Sequence, residues 1–472
     1  MPRALEASRL EPDAGLQRGL RPLHVLAIVV GSVVGTNIYI RPASIAQLVA
    51  TPAHIFLVWA GAGLLTLAGA LTYSQLVTRI PRSGGEYAFL HETLGELPAF
   101  LFGWMRLTVG AGGVAGGAVA FTVFLGDLIP LGGAWFRVSF IEIGARQVIA
   151  VLVIAVLACI NMKGVGGAGR FQTIVTAVKV IGLLLLIGAA LLLGQVHGSS
   201  DNDVAIAPAQ TSSILTFSAA MLAALAAFNG WANAAMVAGE VQDPQRNLPR
   251  ALTSGIIITI GLYLAANLAY LWSLPMQDIV TANSTAYPDA PSVAGRMAIA
   301  VLGERFGIIL PFLFLISVVG ALHCQILSVP RVYFAMARDG LLPTRLARLT
   351  EGSRTPNAAI GLLALVGSIL AVLGSVDRLI NMSTFGALLF YALNAFGLLR
   401  LLHRSPIDPG DTPRSRTMAI PALFLAGALW LLVTLVLRGM AEITTAIALM
   451  GLGIPAYFVM RLRRRASMSA RG

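Results

Sequence analysis

The chain is 472 residues long, 57% hydrophobic and only 11% charged, with a mean hydropathy of +0.81. Those values place it in a membrane and exclude a water-soluble domain as its main body. The formal net charge of +12 would suit nucleic acid only if the basic residues formed one patch, and they are spread between apolar segments instead.

Residues 1–21 are polar, mixed in charge and followed by a full-length apolar stretch, so they do not read as a cleaved signal peptide. A transmembrane helix needs about 20 mostly apolar residues. Twelve segments qualify as candidates, near 22–48, 55–78, 97–128, 147–162, 171–194, 212–240, 251–274, 306–330, 357–375, 379–400, 418–437 and 441–460. With the N-terminus placed inside, the cytoplasmic segments hold 24 Lys/Arg and the outer loops 7, while Arg106 and Lys179 fall within spans. That asymmetry is the positive-inside pattern and predicts a multi-pass protein of the cell membrane with both termini cytoplasmic. The basic tail, 461–472, reads as a stop-transfer anchor at the lipid surface. Basic charge here sets topology, and no nucleic-acid partner is expected.

Three connections exceed a short turn. Residues 79–96 hold a Pro/Gly turn, and 276–305 carry acids, two prolines and an amphipathic stretch that predicts a helix lying across an outer loop. The third, 403–417, is a Pro/Asp/Arg-rich cytoplasmic linker. It separates ten spans from a final pair at 418–460. Ten spans divide as 22–195 and 212–402, five in each half, and an odd number per half gives the opposite orientations that an inverted repeat requires.

Each half opens on an interrupted span. The first interruption is Gly31-Ser32-Val33-Val34-Gly35-Thr36-Asn37 and the second Phe228-Asn229-Gly230-Trp231-Ala232-Asn233. Gly31 and Gly35 each cost a helix about 1 kcal/mol relative to Ala, and Pro42 removes a further helix hydrogen bond. A helix that unwinds here exposes N–H groups beside a half-helix N-terminus, a natural place for a carboxylate. The same glycine spacing also suits a packing face between helices. Interrupted spans at corresponding places in two halves are the sequence pointer to a transport site.

The stretch after the second break, Val237-Ala238-Gly239-Glu240-Val241-Gln242-Asp243-Pro244, resembles the amino acid–polyamine–organocation superfamily, especially its amino acid permeases and light-subunit-like exchangers. The glycine motif at 31–39, Pro81-Arg82-Ser83-Gly84-Gly85-Glu86-Tyr87, Gly103-Trp104 and the segment Arg331 to Pro343 resemble that family's motifs in the same order. The resemblance implies an all-α polytopic membrane protein. It implies about twelve transmembrane helices in a 5+5 inverted repeat (the leucine-transporter-like fold), with helices 1 and 6 broken and two C-terminal helices added. It also implies secondary active transport of amino acids by alternating access, as proton-coupled symport or exchange, with no cofactor.

Carried over residue by residue, the resemblance puts the substrate carboxylate on backbone N–H groups of Val33, Gly35, Thr36, Asn37 and Ile38. It puts the amino group on carbonyls around Ser32 and from Ala226 through Phe228 to Asn229, with Gly230, Trp231, Ala232 and Gln325 completing the site. Asn37 departs from the family's usual glycine. Ala232 stands where some relatives carry an acid, and no other acid is expected in the pocket, which favours a neutral substrate over a polyamine or other organic amine. Lys179, in the middle of a span, would cost about 2.5–3.5 kcal/mol to insert without a task or partner. By the resemblance it replaces a structural sodium ion, bridging the Gly31 carbonyl and the Ser317 hydroxyl, and is a candidate for proton coupling. Glu240, amid Arg82, Arg246 and Arg331, reads either as part of a cytoplasmic gate with Arg82, closed by ion pairing with one of these arginines, or as a solvated helix-end charge. Arg106 is expected to snorkel inward, and His323 to bond a neighbouring helix.

Neither a metalloprotease helix nor a nucleophile elbow is present, which argues against an enzyme. A channel or transporter-derived sensor would call for a filter loop or a ring of charge. Cys159 and Cys324 both lie in apolar spans, so no metal site and no disulfide-linked partner subunit are expected.

Overall fold

The computed structural model describes residues 15–49, 51–138, 141–194, 214–304, 309–373, 376–404, 414–438 and 441–469. Most of the expected N-terminal segment, the junction of the two halves at 195–213, the centre of the 403–417 linker and the end of the tail lie outside these residues.

The helices, in chain order, are α1 (Pro22–Val33), α2 (Asn37–Val49), α3 (Pro52–Arg79), α4 (Glu86–Thr93), α5 (Glu96–Thr108) and α6 (Ala111–Gly126). After them come α7 (Ala145–Met162), α8 (Val165–Leu193), α9 (Ile214–Phe228), α10 (Asn233–Met236) and α11 (Pro244–Ser273). The chain continues through α12 (Met276–Val280), α13 (Val293–Leu302), α14 (Ile309–Arg338), α15 (Asn357–Leu373), α16 (Val376–Arg404), α17 (Arg414–Leu437), α18 (Ala441–Gly451) and α19 (Gly453–Ser469). Prolines at the first turns of α1, α3 and α11 suit helix starts, where their missing N–H would have no intrahelical acceptor. Thr51 caps α3 by accepting from the His54 N–H at 3.3 Å.

Among the described residues, ten helical segments are long and apolar enough to cross a bilayer. The protein is therefore an all-α polytopic membrane protein in its spanning part. The expected sixth and ninth spans appear as the shorter apolar helices α9, of 15 residues, and α15, of 17. The third span, expected to be continuous, divides at Val109–Gly110 into α5 and α6. A second unexpected element is an antiparallel hairpin of β1 (Ala134–Val138) and β2 (Ile141–Gly144), which carries exposed Trp135 and Phe136. The 276–305 connection does contain a helix, α13, which packs against α2, α8 and α11.

In α14, 67% of the best apolar window is buried, against 22% for the segment 443–464, which puts the last helix at the periphery. Helix α8 is two-faced: Lys179, Leu183 and Gln172 are buried while Ile174, Ile181, Leu185 and Leu192 are exposed to what must be lipid. In a bilayer, helices associate through close van der Waals packing rather than escape from water. Glycines supply it here. A Cβ on Gly255 of α11 would stand 2.6 Å from Val29 Cγ1 of α1, and one on Gly63 of α3 would stand 2.8 Å from Ile260 Cγ1 of α11. Gly255→Val is expected to force α11 off α1 and destabilise the fold by about 1–3 kcal/mol, as overpacking does. A lowered melting temperature of the purified protein in detergent checks this, and an unchanged one would refute it.

Candidate functional site

The two interruptions are real gaps in helix. Val34, Gly35 and Thr36 separate α1 from α2, and Asn229 to Ala232 separate α9 from α10. Gly230 has φ +112°, a conformation that side chains other than hydrogen disfavour. The breaks abut. Ser32 Oγ donates to the Gly230 carbonyl at 2.9 Å, and a Cβ on Gly230 would stand 2.8 Å from the Ser32 carbonyl oxygen. Asn37 Nδ2 donates to the Ala226 carbonyl at 3.0 Å. The buried Tyr263 hydroxyl of α11 lies 2.8 Å from the Val33 carbonyl and 3.0 Å from that of Ala227, one from each broken span. Carbonyls freed by unwinding are thereby satisfied without water.

Between the breaks lies a cavity of about 270 Å³. Ser32, Val33, Gly35, Thr36 and Asn37 line it from the first break, and Ala226, Asn229, Gly230 and Ala232 from the second. Gln325 and Ser317 line it from α14, Ser383, Thr384, Ala387 and Tyr391 from α16, and Gly113, Gly116 and Gly117 from α6. Three of the expected site residues have side chains that do not line it. Ile38 is fully buried in the core, its carbonyl 3.3 Å from the Tyr270 hydroxyl. Phe228 packs on Trp59 and Tyr263, and Trp231 on Tyr73, Tyr391 and Phe424. Both aromatic rings border a neighbouring apolar cavity of about 50 Å³. The carbonyls of Ala226, Ala227 and Gly230 already accept side-chain hydrogen bonds.

Lys179 is fully buried on α8, and its ammonium donates to the Gly31 carbonyl. Gly320 of α14 leaves it room, since a Cβ there would be 3.0 Å from Nζ. The expected second partner is not engaged. Ser317 faces the cavity, and its hydroxyl makes no hydrogen bond to Lys179. The same interface carries a second link, in which His323 Nδ1 sits 2.8 Å from Gln172 Oε1, and Gln172 donates to Thr176 Oγ1, which donates to the Ala27 carbonyl. His323 thus joins helices and does not line the cavity.

Three expectations about charge need correction. An acid does line the cavity: Glu86, 3% exposed, which accepts from the Tyr73 hydroxyl at 2.9 Å. Sequence reasoning misses it because it belongs to the connection before the third span, and only the fold brings that connection inward. Arg106 does not snorkel. It lines the cavity and donates to Asn233 Oδ1 at 3.0 Å, because α5 ends two residues later and Tyr333 takes the Arg106 carbonyl at 3.0 Å. The sequence signal for that bend is the run Gly110-Ala111-Gly112-Gly113. Finally, Arg82 does not pair with Glu240. Its guanidinium reaches Glu92 at 3.0 Å and Asp339 at 3.7 Å. Glu240 takes a two-pronged pair from Arg331 at 2.7 and 2.9 Å, both side chains fully buried.

The Glu240–Arg331 pair is part of a seal. Leu20 donates its N–H to the Glu240 carbonyl and accepts from Gln242 N–H, each at 3.0 Å. Gly84 N–H donates to the Met236 carbonyl at 2.9 Å, and the Tyr87 hydroxyl to Asp339 at 2.7 Å. These contacts close the end of the bundle where α1 begins, and the cavity extends the other way, toward Arg41 and Ala120. Removing one partner of a buried pair strands the other charge, so Arg331→Leu is expected to cost about 3–5 kcal/mol. Replacing both Glu240 and Arg331 by Leu should recover most of that loss. Denaturation of the two variants in detergent measures it, and equal stability of the single variant and the parent would refute it.

The profile of a family described as amino acid permease matches residues 20–456. The serine/threonine exchanger SteT of Bacillus subtilis (strain 168) is 29% identical over 96% of this chain and 99% of its own length. The human cystine/glutamate transporter is 26% identical, covering 94% and 85%, and the rabbit (Oryctolagus cuniculus) large neutral amino acids transporter small subunit 2 is 27% identical, covering 96% and 82%. The chain belongs to the amino acid permease family, whose members are membrane transporters rather than enzymes.

Proposed function

From that membership and the cavity between the breaks, we propose that the protein is a secondary active transporter of neutral amino acids in the cell membrane. It works by alternating access around the cavity. The observation that carries this reading is the abutting of two interrupted helices on one cavity lined by both breaks. Backbone N–H groups at 35–37, beyond the last hydrogen bond of α1, receive the substrate carboxylate, and carbonyls of the breaks left without side-chain partners receive its amino group. The ten long segments with α9 and α15 supply twelve crossings. Helices α1 to α8 form one half and α9 to α16 an inverted copy, as in the leucine-transporter-like fold. Both termini are then cytoplasmic, which makes the Glu240–Arg331 seal the inner gate and the described conformation closed to the inside.

Glu86 by itself would favour an organic cation, but Arg106 beside it balances its charge, so the neutral reading stands. Transport is proton-coupled symport or exchange. Lys179 occupies the space between α8, α1 and α14 with its own charge, which supports coupling that does not depend on sodium. Cys159 and Cys324 lie on the apolar helices α7 and α14 rather than in a connection between helices, so this reading includes no disulfide-linked subunit.

Purified protein in liposomes, preloaded with unlabelled amino acids, should show saturable uptake of labelled L-amino acids and little of the D-forms. A steady ion current without saturable uptake would refute transport. Lys179→Ala should reduce uptake to background while the protein still elutes as a folded monodisperse species. Normal uptake by that variant would remove Lys179 from the mechanism.

A further inference from the structure

The cavity has one corner where opposite charges meet without touching. Glu86 enters it from the first turn of α4 and Arg106 from the end of α5, close enough for the guanidinium charge to act on the carboxyl. Yet no direct bond joins them. Glu86 is held by the Tyr73 hydroxyl, and Arg106 by Asn233 Oδ1 and, at 3.6 Å, Met236 Sδ. Arg106 Nε is buried and makes no hydrogen bond. A buried donor left unpaired is costly, and so is a buried carboxylate with a single side-chain partner. Nε itself is sealed off, but both side chains reach the cavity wall, where a ligand can bond the carboxylate and the terminal nitrogens of the guanidinium.

We infer that the Glu86–Arg106 corner is the subsite for the substrate's side chain, and that it selects small neutral amino acids bearing a hydroxyl or a carboxamide. The inference rests on the transport reading above. A hydroxyl or carboxamide both donates and accepts, so it satisfies the carboxylate and the guanidinium together. An aliphatic or aromatic side chain expels water from both charges and replaces none of their hydrogen bonds. A side-chain carboxylate meets Glu86 with like charge, and a side-chain ammonium meets Arg106 in the same way. Gly113, Gly116 and Gly117 keep the facing wall flat, and Gln325 already fills the space against it, because a Cβ on Gly113 would lie 2.7 Å from Gln325 Oε1. Gln325 thus closes one side of the pocket beside Gly113 with a polar group.

The test measures uptake of labelled L-serine, L-asparagine, L-leucine, L-aspartate and L-lysine into proteoliposomes holding the full chain. A site built to bond a hydroxyl rejects analogues that lack it, so serine and asparagine should exceed leucine in kcat/KM by about tenfold or more. Arg106→Met should raise the KM for serine about tenfold and leave that for leucine unchanged or lower. Glu86→Gln keeps the bond to Tyr73 and removes the repulsion, so aspartate uptake relative to serine should rise about tenfold, a gain that misfolding cannot imitate. Transport with leucine preferred overturns the inference and leaves the transport reading intact. The same holds if Arg106→Met depresses all five substrates equally, or if Glu86→Gln gains nothing for aspartate. Absence of saturable uptake of every one of the five overturns the transport reading, and the inference falls with it.

Discussion

The hydroxyl of Tyr263 stands against two backbone carbonyls that no helix can satisfy, Val33 from one broken span and Ala227 from the other. Everything else at the centre of this bundle follows from that requirement. A peptide carbonyl left bare in a bilayer costs several kcal/mol, so a helix can unwind at mid-span only where neighbours provide donors. Here Ser32, Asn37, Tyr263 and Lys179 provide them, and each comes from or spans to a different helix. The donors fix the distance between the broken helices. Their positions leave a cavity whose walls are backbone N–H groups, small residues and a few polar side chains.

Charge inside the bundle obeys the same rule in three ways. Glu240 and Arg331 compensate each other fully, with two hydrogen bonds and no solvent, and so act as structure as long as they stay paired. Lys179 has a carbonyl for a partner rather than an anion, an arrangement that stabilises the neighbouring break but leaves a net charge in the core. Glu86 and Arg106 are held by neutral groups, close enough to moderate each other and too far apart to pair. Burial alone does not distinguish these cases. What distinguishes them is how many of each group's hydrogen-bonding sites are already taken.

Much of this is legible in the amino-acid sequence, and the failures have physical causes. The breaks at Gly35 and Gly230 are readable because glycine and small polar residues weaken a helix in the middle of an apolar run, where lipid offers no compensation. Lys179 is conspicuous because a lone ammonium in a span demands a partner, and its spacing from the helix end places it inside. Arg106 looks similar, but an unbroken third span would carry it to the interface. The bend at Val109–Gly110 changes its direction. Glu86 reads as part of a loop because linear distance from the apolar runs says nothing of a turn, Gly84-Gly85, that folds back against Met236. For Glu240 several arginines are near in motif and only one, Arg331, pairs with it in space. Pairings across such distances along the chain depend on helix rotation, which composition does not encode.

Asn37, the side chain that departs from the expected glycine, acts as a strut. Its amide occupies the Ala226 carbonyl and so removes an acceptor that a ligand's ammonium would otherwise use. With Ser32 on Gly230, Tyr263 on both breaks, and Leu20 paired in a short parallel bridge with Val241, the two broken spans are joined by hydrogen bonds at the breaks and again at their inner ends. They are therefore stiff with respect to each other and with respect to α11. In the alternating-access cycle proposed above, the movement takes place at the seams around that body rather than within it. Two such seams on the sealed side are Glu240 to Arg331 on α14, and Met236 to Gly84 before α4. Opening toward that side has to break a buried ion pair, which is unfavourable unless water enters as it parts. A ligand that bonds Glu86 and Arg106 sits next to both seams, since Glu86 follows Gly84-Gly85 directly and Arg106 holds Asn233 at the head of α10. On the proposed reading, occupancy of the side-chain corner bears on the elements that separate, so that choosing the substrate and releasing the gate would involve the same few residues.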